Sequence, residues 1–175
     1  AAARATEMVE KKTDPIRQTD DEARETARRL IDGARFGALG VIEPGTGMPL
    51  VTRVAVGTAT AGRIVMLASD LSFHSKALVA DPRCSVLVGE PGKGDPLAHP
   101  RLTIIGRMAV VAQDSAERAE LRTRWLEQHP KAQLYVDFPD FRFYRLEVER
   151  AHLNGGFGKA YVLTPGDIAA EGENP

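Results

Sequence analysis

The 175-residue chain has one cysteine, Cys84, one tryptophan, Trp125, and only 6% aromatic residues. A lone cysteine excludes an internal disulfide and any Cys-rich zinc site, and it suits a reducing, cytoplasmic setting. No charge excess exists either. Lys and Arg number 23 against 24 Asp and Glu, a net charge of −1. General nucleic-acid and anionic-membrane binders carry a basic surplus, so neither partner is expected. No apolar run approaches the roughly 18 residues of a membrane span. Residues 1–12 carry Glu7, Glu10, Lys11 and Lys12 and have no apolar core of a secretory leader. The four histidines, His74, His99, His129 and His152, are 23 to 30 residues apart. With no HExxH or similar pair, a metal site would have to be assembled in three dimensions. No GxGxxG joins a strand to a helix. The loop Gly89-Glu-Pro-Gly-Lys-Gly-Asp95 fails the P-loop pattern, because Asp95 follows Gly94 and no helix begins there.

What is present is an ordinary folded chain, 43% hydrophobic and 27% charged, long enough to bury its own core. Residues 1–18 have no sustained period and read as an N-terminal arm. Asp20 caps a helix whose apolar side is Ala23, Ala27, Leu30, Ile31 and Ala34, and Gly33 marks its end. Phe36–Ile42, Pro49–Gly57, Arg63–Ser69, Cys84–Gly89 and Arg101–Ala112 read as strands, with a turn at Pro44–Gly47. In the last of them Leu102 and Ile104 read on one face and Thr103, Ile105 and Met108 on the other, and Gly106 suggests a bulge or a tight barrel bend. Ser72–Asp81 is a short helix stopped by Pro82. Asp114–Gln128 is a helix stopped by Pro130, with Leu121 and Trp125 on its inner face, and a further helical turn follows within 131–137. Phe141–Asn154 alternates as a strand, and the tail beyond Lys159 reads as frayed. About six strands joined mostly as hairpins, without strict strand–helix alternation, indicate a mainly β, mainly antiparallel barrel with peripheral helices.

Three polar features stand out. Arg53 lies within the apolar strand Leu50-Val-Thr-Arg-Val-Ala-Val56, a costly place without an acceptor; an ion pair, a snorkelling side chain and a bound anion all account for it. His74-Ser75-Lys76 open the second helix, where free N–H groups and the helix dipole favour an anion; a capped surface helix with a solvated lysine is the alternative. Arg101 begins a strand after a Pro-rich loop and reads either as a surface charge or as a third cation of one site. Cys84, inside an apolar strand, reads as a small core residue rather than a nucleophile. His99 and Lys93 either act on a substrate or simply belong to their loop.

Taken in order, Val51-Thr-Arg-Val-Ala-Val56, Met66-Leu-Ala-Ser69, His74-Ser-Lys-Ala-Leu78, Gly89-Glu-Pro-Gly-Lys-Gly-Asp-Pro96, Pro100-Arg-Leu-Thr-Ile-Ile-Gly106, His129-Pro-Lys-Ala132, Phe141-Arg-Phe-Tyr-Arg-Leu146 and Gly155-Gly-Phe-Gly-Lys-Ala160 resemble the pyridoxamine-5′-phosphate-oxidase-like flavoproteins, and within them the haem-utilisation branch. The resemblance runs from about Thr19 to Ala160. It implies an FMN-binding split β-barrel over residues 19–160, a tail over 161–175, and a homodimer with FMN at the subunit interface. It further implies that Arg53 contacts the FMN phosphate, that the Val54 and Ala55 backbone lines the isoalloxazine, and that Ala68 and Ser69 add strand-end contacts. Ser75 and Lys76 would hold the phosphate, with His74 beside the ribityl chain or phosphate. Arg101 takes a polar position filled by Gln in the oxidases proper. The expected function is an FMN-dependent oxidoreductase, passing hydride or electrons between FMN and a small organic substrate. A flavin- or haem-binding protein without turnover is the alternative. Two departures from the pattern bear on substrate. No Trp or Arg follows Gly158, where the oxidases proper hold pyridoxal phosphate. No His follows His152, where haem-utilising members place an iron ligand. A dimer would cover an open apolar flank carrying Phe141, Phe143 and Tyr144.

Overall fold

The computed structural model describes residues 14–170. Its strands are β1 (Ile16–Arg17), β2 (Phe36–Ile42), β3 (Pro49–Thr58), β4 (Ile64–Ser69), β5 (Arg83–Val88), β6 (Arg101–Val110), β7 (Phe141–Asn154) and β8 (Ala160–Leu163). Four helices accompany them: α1 (Asp21–Gly33), α2 (Phe73–Ala80), α3 (Ala116–Gln128) and α4 (Pro165–Ile168). Six strands close a barrel in the order β7-β4-β3-β2-β5-β6, with β6 pairing back onto β7. All six junctions are antiparallel. Closure rests on the length of β7. Its first residues pair with β4 and its remainder with β6, while its end also takes β8.

The local signals act as read. Asp20, Ser72 and Ser115 each accept an N–H from the first turn of a helix, a cap typically contributing about 1 kcal/mol. The β6 register shifts between Ile105 and Gly106. A Cβ on Gly106 would collide with the Glu147 carbonyl, so only glycine passes there. Alternation continues unbroken through Gly106, so Met108 is buried with Leu102 and Ile104 and not on the opposite face where the sequence reading put it; the extra residue opposite Gly106 is Glu149 of β7.

Two apolar cores result. One fills the barrel and takes in Val54, Val56, Met66, Ile104, Tyr144 and Leu146, with Ala77 and Leu78 of α2 and Ala27 and Ile31 of α1 packed onto it. The other lies outside the barrel wall, where Leu121 and Trp125 of α3 meet Val65, Leu67 and Phe143.

Two expectations fail. The flank expected to be open is closed by the β6–β7 pairing. Phe143 and Tyr144 are almost fully buried within the chain, and Phe141 packs on Tyr135 and Phe138. The segment after Lys159 does not fray over its described part. Tyr161 and Leu163 are buried in β8, and Ile168 of α4 joins the barrel core. Asp167 takes an ion pair from Arg24, and Thr164 and Asp167 form a reciprocal capping box. Most of the expected arm, residues 1–13, lies outside the described residues; within it Ile16–Arg17 pairs parallel to β8.

Candidate functional site

Strand β3 organises the site because its two faces meet different surroundings. Val54 and Val56 point into the barrel, whereas Val51, Arg53 and Ala55 point outward. The outward face is then divided along its length. From Ala55 onward α3 covers it, and a Cβ on Gly57 would lie 3.1 Å from the Trp125 ring. Before Ala55 no described residue covers it. There a groove of about 610 Å³ runs between the end of α1 and strands β2, β3 and β5. Its apolar shelf is Phe36, Val51 and Leu87, 46%, 67% and 41% exposed. The Arg53 guanidinium lies 5.7 Å from the centre of the Phe36 ring, within cation–π range. Among the described residues Arg53 has no carboxylate partner.

The other expected residues separate into three groups. Val54 and Ala68 are 6% and 5% exposed; their side chains belong to the barrel core, and both lie just beyond the last paired residues of β3 and β4. Ala55 packs against the outer core. At the end of β4, the Ser69 hydroxyl donates to Asp140 at 2.6 Å, and Arg142 donates to both oxygens of Asp70 at 2.9 Å. The start of α2 is joined to β3 through His74, whose Nδ1 lies 3.1 Å from Thr52 Oγ1. Burial lowers the His74 pKa, so its imidazole is neutral near pH 7. Ser75 is 1% exposed and its hydroxyl lies 2.7 Å from that of Ser72, turned into the fold. Lys76 is exposed and has no carboxylate partner among the described residues. Arg101 is not brought to this cluster within one chain. Strands β2 and β5 stand between β6 and β3, and the Arg101 guanidinium donates to the carbonyls of Leu97 and His99.

The remaining candidates are committed elsewhere. Burial pushes the Cys84 thiol up to about 12, which leaves it protonated and inert. His129 bonds the Val56 carbonyl and stacks on Trp125 at 4.3 Å. His99 bonds the Lys93 carbonyl, so both residues hold the loop. Among the described residues no group of three His, Cys, Asp or Glu is placed to hold a bare metal ion, and no helix is long and apolar enough to cross a membrane. Sequence reading missed Phe36, Leu87, Arg29 and Arg35, which line the groove. Outward-facing apolar residues at alternate positions of β2 and β5 were the available signal.

The geometry supplies a shelf for a flat apolar body beside cations free to meet acid groups. Known proteins share the frame. A plant protein described as a non-canonical haem oxygenase, chloroplastic, from Arabidopsis thaliana is 30% identical over 149 residues, 84% of this chain. The chain spans only 44% of that relative's length. A haem-binding protein from Mycobacterium smegmatis is 28% identical with a TM-score of 0.75, covering 87% of this chain and 61% of its own. The general-stress-protein-26 relative of the pyridoxine-phosphate-oxidase family from Clostridium acetobutylicum shares the fold, with a TM-score of 0.65 at 13% identity over 86% of this chain and 99% of its own. The family model for the CREG β-barrel matches residues 18–168. The six-stranded closed barrel with its peripheral helices is thus a split barrel of the pyridoxamine-phosphate-oxidase type, and the chain belongs to the CREG β-barrel family.

Proposed function

We propose that this chain is a haem-binding protein of haem utilisation, holding the porphyrin against the Phe36–Val51–Leu87 shelf. The observation that carries this reading is Arg53, a cation without a carboxylate partner above an exposed apolar shelf in a groove of about 610 Å³. A guanidinium in that position suits a propionate, and the shelf suits the ring. The descriptions of the Arabidopsis and Mycobacterium relatives point the same way. Bound haem supplies the iron redox chemistry; the chain supplies charge and an apolar face. No histidine is among the described residues that line the groove; His74 meets Thr52, which alternates with the outward Val51 and Arg53 and so lies on the other face of β3. A second copy of the chain would close the groove, since Val51, Phe36 and Leu87 are otherwise left to water. A reducing compartment such as the cytoplasm suits the free thiol of Cys84.

The second reading is an FMN-dependent oxidoreductase acting on a small organic substrate, with Arg53 and Lys76 on the phosphate. The free cation of Lys76 on α2 favours it. The same region also weakens it: Ser75 turns its hydroxyl inward, and Ser69 bonds the Asp140 carboxylate where a strand-end contact with FMN was expected. A visible spectrum of the purified protein, with mass spectrometry of any bound molecule, separates the two. A Soret band that grows on adding haemin supports the first reading. Flavin bands, or uptake of FMN alone, support the second. A colourless protein that takes up neither overturns both.

A further inference from the structure

Three arginines line the groove, Arg29, Arg35 and Arg53. At least nine other arginines among the described residues, Arg28 and Arg142 included, form ion pairs with Asp or Glu. These three form none. Arg29 donates once, to the Thr26 hydroxyl at 3.2 Å. Arg35 gives one nitrogen to the carbonyls of Asp32 and Ala34, each at 3.0 Å. Among the described residues Arg53 lies against the Phe36 ring, with no hydrogen-bond or carboxylate partner. A guanidinium has five N–H donors, so most donors of the trio have no acceptor among the described residues. The single carboxylate of the groove lining is Glu90, on the exposed loop after β5. Like charges gathered at one groove repel, and an anion between them relieves that repulsion.

Resting on the reading of the groove as a cofactor site, we propose that Arg29 and Arg35 at the end of α1 and Arg53 on β3 form a two-sided clamp for a ligand carrying two acid groups on one apolar body. Donors come from two elements rather than one helix end, which matches two separated carboxylates better than one compact anion. Leu30, Phe36 and Leu87 between them supply the apolar contact. Arginine suits this task, because its planar fork binds a carboxylate through two parallel hydrogen bonds.

The test compares haemin with its dimethyl ester, which keeps the ring and iron but masks both acids. FMN and riboflavin form the parallel pair for a phosphate. The wild-type chain should prefer haemin to the diester by about 100-fold or more, at roughly tenfold or more per lost charge-assisted contact. The double variant Arg29→Gln, Arg35→Gln should lose most of that preference while binding the diester as before, with an unchanged melting temperature. A preference for FMN over riboflavin that these substitutions abolish would assign the same clamp to a phosphate. Equal wild-type affinity for acid and ester, in both pairs, overturns the clamp while leaving the cofactor reading standing. So does a double variant that keeps the full preference. Failure of the wild-type chain to bind any of the four probes overturns the cofactor reading and the clamp with it.

Discussion

The two halves of β3 differ in what covers them. From Ala55 to Thr58 the outward face is sealed by α3 and the backbone of Thr58 is answered, although the Trp125 indole N–H is buried there without a partner among the described residues. The Thr58 carbonyl takes bonds from Arg124 and Gln128, and the Thr58 N–H is bonded to Gln128 Oε1. From Val51 to Arg53 the same face is open, its apolar residues lie bare, and its arginine is unanswered. The first half is built for stability, and the second is the half we propose receives a ligand. Burial with satisfied hydrogen bonds stabilises a fold, whereas exposed apolar surface beside an unpaired cation gains only when something else arrives.

The strongest way to break this contrast is to damage the sealed half. Trp125→Ala removes a nearly fully buried ring that stacks on His129 and meets Phe143 edge-on. It should cost about 3–5 kcal/mol of stability, read by chemical denaturation, while haemin affinity of the folded fraction stays as in the wild type. A milder effect of opposite kind is expected in the open half. Arg53→Ala should leave the denaturation midpoint unchanged and weaken haemin binding by about 1.5–3 kcal/mol, roughly 10- to 150-fold. If Arg53→Ala destabilises the chain and spares binding, the roles of the two halves are reversed. The smallest effect concerns pH. Burial lowers the His74 pKa from its usual 6.5, so the unfolded chain takes up this proton first. Stability from this residue is therefore complete above pH 6.5 and falls as pH drops below it. Thermal melts from pH 7.5 to 5 should show that slope in the wild type and a shallower one in His74→Gln; identical slopes would remove His74 from this account.

Much of the fold was legible in the sequence, the contrast between the two halves of β3 was not, and both outcomes have physical causes. The barrel strands, the caps at Asp20, Ser72 and Ser115, and the bulge at Gly106 announce themselves through local chemistry. Closure does not. Whether β7 pairs with β6 depends on contacts far apart in sequence, so Phe143 and Tyr144 read as flank residues when they are core. The end of the chain misled for the same reason. Tyr161, Leu163 and Ile168 are too few to set a period, yet each finds a place on a preformed wall. At the site, Arg53 was conspicuous as a charge inside an apolar strand. Arg29 and Arg35 were hidden in an ordinary amphipathic helix and its exit, because only the fold brings them beside β3. Ser75 misled in the other direction: a hydroxyl at a helix start suggests an outward ligand, but this one faces Ser72 and the interior.

Hydrogen exchange with and without haemin tests the central claim most directly. New protection should fall on β2 near Phe36–Ala38, on Val51–Arg53 and on β5 near Leu87, with α3 unchanged. Protection confined to α3, or to the α1–α4 end around Ile168, would place the cofactor elsewhere and contradict the account.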